Sequence, residues 1–303
     1  MRTCNETGMW VLTQMDSHLY YEVLLCSSSL SYVVNMLLSG PLVLAITRPP
    51  SLLSKLRFLL LVHLLFCDNL QLLLKTTTAA LFTSQSGMLV SQCLILIAAT
   101  QACAMVEVLL STALAVDRCV AIKWPLRYEL LFSPRCKQAL VVVAWGASLF
   151  LSAVALCMAL THVQVNADLP RCRPLVVGRC LSENLALRAF CISVSALVLP
   201  ASYLTTFGCF LLLCRDLHGL PHSRRAVVTL ALQAIQMLCY SVPVVLNSYL
   251  LPNTLQYDTL EIAVSNAYNL GISLVPLVYG YRSRELQKRL LQTLPRSDIS
   301  PGQ

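Results

Sequence analysis

An all-α membrane protein, built as a bundle of seven transmembrane helices, is the fold this sequence predicts. Three observations predict it. The chain is 57% hydrophobic and only 12% charged, with a mean hydropathy of +0.69, whereas soluble domains carry roughly 25% charged residues. It holds seven stretches long enough to cross a bilayer as helices, for which about 20 mostly apolar residues suffice. Its bases concentrate on alternate connections between those stretches, the pattern that marks cytoplasmic loops. Helices are expected because lipid satisfies no backbone polar group.

The first stretch runs from Glu22 to Ile46 and ends before Arg48 and the Pro49-Pro50 pair. The second, Leu56 to Phe82, follows Lys55 and begins with Arg57 in its first turn. The third, Met88 to Ile122, closes on Asp117-Arg118 and Lys123. Arg127, Arg135 and Lys137 precede the fourth, Gln138 to Leu160. The longest outer loop, about Thr161 to Ala186, leads to the fifth, Leu187 to Leu213. A brief loop from Cys214 to Arg225, broken by Gly219-Leu220-Pro221, leads to the sixth, Ala226 to Leu250. The seventh spans Leu260 to Tyr281. After it, Leu286, Leu290 and Leu291 share one helical face and Arg282, Arg284, Lys288 and Arg289 another. That pattern predicts a short amphipathic helix on the membrane surface, with a solvated helix end as the alternative. The organisation is thus an outer N-terminal segment 1–21, one membrane domain 22–281 and an inner tail 282–303.

Positive charge on short loops places the C-terminus inside and the N-terminus outside, in a multi-pass membrane protein. The opposite side carries Arg2, Arg171, Arg173 and Arg179, with Arg188 at a helix start, and the loop after Phe82 has no charge. The net charge of +8 is therefore a topology signal; a nucleic-acid partner would need a solvated basic face. Residues 1–17 contain Glu6 and Asp16 and lack the apolar run of a cleavable signal peptide. The first stretch is then expected to serve as the insertion signal. Asn5-Glu6-Thr7 is a glycosylation sequon on the predicted outer side.

Of fourteen cysteines, most lie inside the apolar stretches, where Cys behaves as a small apolar residue. The outer ones are Cys4, Cys93, Cys172 and Cys180, with Cys191 near a helix end. Cys119, Cys136 and Cys214 lie near the reducing face, where disulfides are not expected. The histidines are scattered and form no His-Glu-x-x-His constellation. No catalytic residue is proposed, and an enzyme is not expected.

Two intramembrane acids stand out. Asp68 lies in the second stretch and Glu107 in the third. An ionised carboxylate inside a bilayer costs several kcal/mol, so such acids are functional candidates by default. Facing one another they would either share a proton within the bundle or hold a cation. Lys75, a base in the second stretch, reads as a side chain snorkelling outward; turned inward, it would pair with an acidic ligand.

The string Ala115-Val116-Asp117-Arg118-Cys119-Val120-Ala121-Ile122, followed by Pro125-Leu126-Arg127-Tyr128, resembles the cytoplasmic end of the third helix in rhodopsin-like (class A) G-protein-coupled receptors, above all the odorant branch. The resemblance extends along the chain, one landmark per helix. Asn35 matches the first helix's asparagine. Leu64-Leu65-Phe66-Cys67-Asp68 matches Leu-x-x-x-Asp, and Cys93 stands 25 residues before Arg118. Trp145, Pro200 and Pro243 match the fourth, fifth and sixth helices, and Pro276-Leu277-Val278-Tyr279 matches Pro-x-x-Tyr of the seventh. Glu107, ten residues before Asp117, looks like the odorant receptors.

The resemblance implies a receptor that detects a small organic ligand and activates a heterotrimeric G protein from within the lipid bilayer. It implies that Asp117 and Arg118 form a clasp that opens onto the G protein, and that Pro243, Pro276 and Tyr279 serve activation. It implies a Na+ ion between Asp68 and Glu107, the one cofactor expected. It implies a disulfide from Cys93 to Cys180, or to Cys172. Its upper ligand pocket maps onto Thr100, Gln101, Ala104, Met105, Ser193, Ala196, Ser241, Val244, Val245, Ser248, Ser265 and Asn269. Thr100 stands where amine receptors carry Asp, and Asn269 where opsins carry the retinal-linked Lys, so neither ligand is expected.

Some positions depart from the family. Val275 replaces the Asn before the seventh-helix Pro, Gly208 a frequent Tyr, and Tyr240-Ser241-Val242-Pro243 lacks the usual Trp. Ser223-Arg224-Arg225 offers Arg118 no acid. The rival readings are a receptor of the same class for a lipid, nucleotide or peptide, and a membrane transporter.

Overall fold

The structure is a computed structural model, and it describes residues 17–83, 88–161, 168–169, 185–216, 258–277 and 286–287, with scattered positions between 228 and 238. Its elements in chain order are α1 (Ser17–Thr47), α2 (Pro50–Leu53), α3 (Leu56–Thr83), β1 (Met88–Leu89), α4 (Val90–Lys123), a 3-10 turn (Pro125–Arg127), α5 (Tyr128–Leu131), α6 (Pro134–Leu160), β2 (Asp168–Leu169), α7 (Leu185–Asp216) and α8 (Asp258–Val275). Among the described residues, five segments, Leu19–Thr47, Leu56–Leu81, Val90–Lys123, Pro134–Leu160 and Leu185–Arg215, are long and apolar enough to cross a membrane.

The helices follow the predicted stretches with shifted starts. α1 begins at Ser17 rather than Glu22, and α6 at Pro134 rather than Gln138. The second shift has a local cause. The Ser133 hydroxyl accepts a hydrogen bond from the Cys136 amide at 3.3 Å, and Pro134 occupies the first turn. Both are helix-start signals, because one caps an unpaired amide and the other has none to lose. Hydropathy alone overlooks them, since this first turn contains Arg135 and Lys137. α1 continues through Pro41. α8 widens at Pro276–Leu277, where proline cannot donate to the preceding turn.

Several hydroxyls within the spans are satisfied on their own helices, whereas those of Ser148 and Ser152 in α6 are buried without a partner among the described residues. Ser28, Thr76, Thr78 and Thr112 each donate to the carbonyl four residues back at 2.7–2.8 Å. With no water available in lipid, the i−4 carbonyl is the nearest acceptor.

Packing places α4 at the centre, against α3, α6 and α7, while α1 packs on α3 and α8. The main apolar cluster joins Leu42 and Ile46 of α1, Leu60, Leu64 and Leu65 of α3, Leu110 and Leu114 of α4, and Ile272 and Val275 of α8. Leu286, beyond α8, is buried in the same cluster. Val275, which replaces a polar residue of the family pattern, is thus absorbed as an apolar contact. Large apolar side chains also cover the outside: Leu37, Phe66, Val142, Phe150, Leu197 and Phe207 are all exposed. A water-soluble protein would not present so broad an apolar exterior, but a bundle in lipid requires one.

Candidate functional site

The bundle interior is polar where the exterior is not. Ser28, Asn35, Ser39, Asp68, Gln71, Glu107, Ser111 and Asn269 are all buried. On α3, Asp68, Gln71 and Lys75 recur at spacings of three and four, so they lie on one helical face. That face meets α8. Gln71 Nε2 donates to the Tyr268 hydroxyl at 2.6 Å, and the Tyr268 hydroxyl donates to Glu107 Oε2 at 3.0 Å. With its amide turned, Gln71 donates to the Glu107 carboxylate directly, at 3.1 Å to Oε2. Lys75 Nζ donates to Asn269 Oδ1 at 3.0 Å and lies 3.9 Å from the centre of the Tyr268 ring. Lys75 also acts electrostatically on Glu107. α3, α4 and α8 are therefore joined by one polar network.

Asp68 and Glu107 lie within interaction range of each other. Both Asp68 oxygens are buried and meet no N–H or hydroxyl donor, while the Asp68 and Glu107 carboxyls lie within hydrogen-bonding reach of each other, so a proton held between them would satisfy one oxygen of each. Glu107 is different, because Tyr268 and Lys75 serve it. Asn35, expected beside Asp68, bonds elsewhere: its Nδ2 donates to Asn69 Oδ1 at 3.0 Å, and Asn69 Nδ2 donates to the Ser39 hydroxyl at 2.9 Å. Among the described residues no three His, Cys, Asp or Glu side chains are grouped to hold a metal ion. An isolated ionised Asp68 would cost several kcal/mol in this setting, so its bare oxygens fit either a proton or a small cation.

Lys75 corrects the expectation from sequence. It does not snorkel outward but crosses to α8, because Asn269, the Tyr268 ring and Glu107 together offer an ammonium more than lipid does.

At the basic end of α4, Asp117 is 2% exposed and accepts a hydrogen bond from the Tyr128 hydroxyl at 2.5 Å. Arg118, Arg57 and Lys137 all act on it electrostatically. Pro125–Arg127 makes the turn that brings Tyr128 back under α4. Burial, then the bond and charge of Asp117, raise the Tyr128 phenol above its ordinary pKa, so it stays a donor. Lys137 Nζ also donates to the Ser54 carbonyl at 2.7 Å, tying α6 to the turn before α3. Arg118 is half-buried beside the clasp.

At the other end, β1 and β2 pair antiparallel, Met88 with Leu169 and Leu89 with Asp168. This lays Asp168 and Leu169 beside the start of α4, one turn from Cys93. Cys93 is disulfide-bonded, whereas Cys26, Cys67, Cys103, Cys119, Cys136, Cys157, Cys191, Cys209 and Cys214 are free. The expected partners, Cys180 and Cys172, lie outside the described residues.

The expected pocket residues divide. Asn269 is buried, and Ser265, Thr100, Ala104 and Met105 are half-buried. Gln101, Ser193 and Ala196 are exposed. The Thr100 hydroxyl is spent on the Leu96 carbonyl at 2.8 Å. Pro276 is buried. Ser241, Val244, Val245, Ser248, Pro243, Tyr279 and Asn5 lie outside the described residues, as do Ser223, Arg224 and Arg225. Sequence reasoning missed Gln71, Asn69 and Tyr268, and did not give Tyr128 its role. The spacing of Asp68, Gln71 and Lys75 was the available signal for the first of these.

Comparison with known proteins agrees with this architecture. The profile of the 7 transmembrane receptor (rhodopsin family) matches residues 39–275. This chain belongs to the rhodopsin family of seven-transmembrane receptors. The match covers most of the chain, from the end of α1 to the end of α8. Similar members of the family include human Olfactory receptor 10D3, 29% identical over 211 residues, and human Olfactory receptor 10G9, 28% identical over 212 residues; each alignment covers 65% of this chain. Human Olfactory receptor 2W3 is 41% identical over 93 residues, which is 30% of this chain and 27% of the relative. The chain spans 64% and 65% of the length of the first and second of these relatives, just under two thirds. As a member of a receptor family, the chain is assigned no enzymatic chemistry.

Proposed function

We propose that this chain is an odorant or chemosensory receptor of the plasma membrane, with its N-terminus outside. A small organic ligand shifts the helix bundle between two states, and the active state presents Arg118 to a heterotrimeric G protein. The shift works through differential affinity for the two states. The observation that carries this reading is the clasp at Asp117 and Tyr128, in a chain of the rhodopsin family with olfactory receptors among its relatives. The membrane domain is 22–281. The tail 282–303 lies on the inner membrane surface through its amphipathic helix, for which the buried Leu286 is support. Cys93 is bonded to Cys180, with Cys172 as the second choice.

A Na+ ion fits the core. Asp68 supplies two oxygens without donors, and Glu107 stands within range. Asp68 is the principal ligand on this reading, because Glu107 is already served by Tyr268 and Lys75. A bound cation would neutralise the core and favour the state in which both acids face it.

The test is Arg118→Ala, with binding and second messenger measured on the same cells. Signalling should be lost, while surface expression and ligand binding stay close to those of the parent, because Thr100 lies several turns from Arg118 on α4. Normal signalling by Arg118→Ala at matched expression would refute coupling through this residue. Substrate flux in proteoliposomes without any second messenger would favour a transporter instead.

A further inference from the structure

The junction of α3 and α8 carries a surplus of hydrogen-bond donors. Lys75 Nζ has three N–H groups and places one on Asn269 Oδ1. That contact fixes the Asn269 amide, because a turned amide would point its NH2 at the ammonium. Asn269 Nδ2 then faces away from Lys75, and it is buried with no acceptor. The nearby acceptor, Glu107, is taken up by the Tyr268 hydroxyl. Lys75 itself is half-buried. A buried donor without an acceptor is rare in folded proteins. One acceptor is therefore missing from this site.

We propose that Lys75 and Asn269 form a subsite for the carbonyl oxygen of a neutral small ligand, such as a ketone or an ester. The charge count selects this class. Asp68, Glu107 and Lys75 meet in the core, and one proton or one cation shared by the two acids makes the cluster neutral. A carboxylate ligand would add an uncompensated charge where charge is expensive, and an amine would bring a like charge to Lys75. A neutral oxygen acceptor satisfies both donors and adds no charge. The apolar remainder of the ligand would lie toward Ala104 and Met105, which are half-buried on α4. The proposal rests on the receptor reading for its consequence, signalling, but not for the binding itself.

The test uses chain-matched sets of probes, each an n-alkyl ketone, an ester, a carboxylate, an amine and the parent alkane, over short and medium lengths. Ketones and esters are chosen over aldehydes because they do not readily form imines with lysine. Binding is read as thermal stabilisation of the purified receptor, and signalling as second messenger in cells. Ketones and esters should stabilise the parent at lower concentration than the other members of each set. Lys75→Met should raise their half-maximal concentration roughly tenfold or more. Because Lys75→Met also leaves Glu107 without its cation, Asn269→Ala is run beside it; it removes the amide donor, and with it the oxygen that positions Lys75, but no charge, and should weaken the same probes. Equal stabilisation by ketone and alkane, a preference for the carboxylate or amine, or parent-like affinity in both variants would overturn the subsite. Stabilisation without second messenger would leave the subsite standing and remove the receptor reading. Second messenger driven by probes other than the carbonyls would do the reverse.

Discussion

At the residue scale, Tyr128 decides how Asp117 is held. A carboxylate that accepts a phenol's hydrogen bond at 2.5 Å has one oxygen committed, and the charge left over acts on Arg118. A hydrogen bond to a charged group contributes about 1.5–3 kcal/mol, and the half-buried setting of Tyr128 argues for the lower end. Tyr128→Phe is expected to raise basal second messenger above the parent, and Asp117→Asn to raise it further, because only the latter removes the charge facing Arg118. Both are compared at matched surface expression. An active Asp117→Asn beside a silent Tyr128→Phe would show that the phenol does not hold the carboxylate. The pH dependence has a definite sign. The raised phenol pKa means that the bond is fully present below the ordinary tyrosine value of 10.0 and is lost only as pH rises through the higher folded value. The phenol's part in this clasp should therefore stay constant across the neutral range.

At the element scale, helix starts depend on single polar residues that hydropathy ignores. Ser133 caps α6 and Pro134 opens it. Ser133→Ala should lower stability by about 1 kcal/mol, read as a lower Tm of the purified receptor, while Ser133→Asp should keep the parental Tm. A Tm unchanged by the Ala variant would mean that the turn from Tyr128 to Phe132 fixes the start of α6 instead. The first five apolar stretches are legible, because lipid demands length and composition and both are written locally, while most of the sixth, Ala226 to Leu250, lies outside the described residues. Asp68, Glu107 and Asp117 were legible for the same reason, since an acid within an apolar helix stands out. The partners of those acids were not. Tyr268 lies 161 residues from Glu107 along the chain, and nothing local in α8 says which helix its hydroxyl will meet. Lys75 was read outward because a snorkelling base needs no partner, whereas its inward placement depends on Asn269 and Tyr268 arriving from a distant helix. The i, i+3, i+7 spacing of Asp68, Gln71 and Lys75 carried the direction, but only for a reader who takes the three together.

At the scale of the whole molecule, the bundle differs from a soluble domain in being apolar outside as well as in its core, with a charged network set within that core. The network spans α3, α4 and α8, so any change in their spacing changes its electrostatics. Asp68 is the member with unmet oxygens, which makes it the point where a small cation would couple to the arrangement of the three helices. A ligand that binds one arrangement alone stabilises it by RT ln(1 + [L]/Kd). Replacing choline chloride with sodium chloride at constant ionic strength should therefore raise the Tm of the purified receptor and lower its basal second messenger. Asp68→Asn should abolish both effects, since it removes the carboxylate whose oxygens meet no N–H or hydroxyl donor. Glu107→Gln should only weaken them, because Tyr268 and Lys75 already serve that carboxylate in the parent. Identical behaviour of the parent in sodium and choline would exclude the ion. Loss of the sodium effect in Glu107→Gln with its retention in Asp68→Asn would assign the cation to the wrong carboxylate, and would mean that Lys75 turns away from Glu107 when the ion binds.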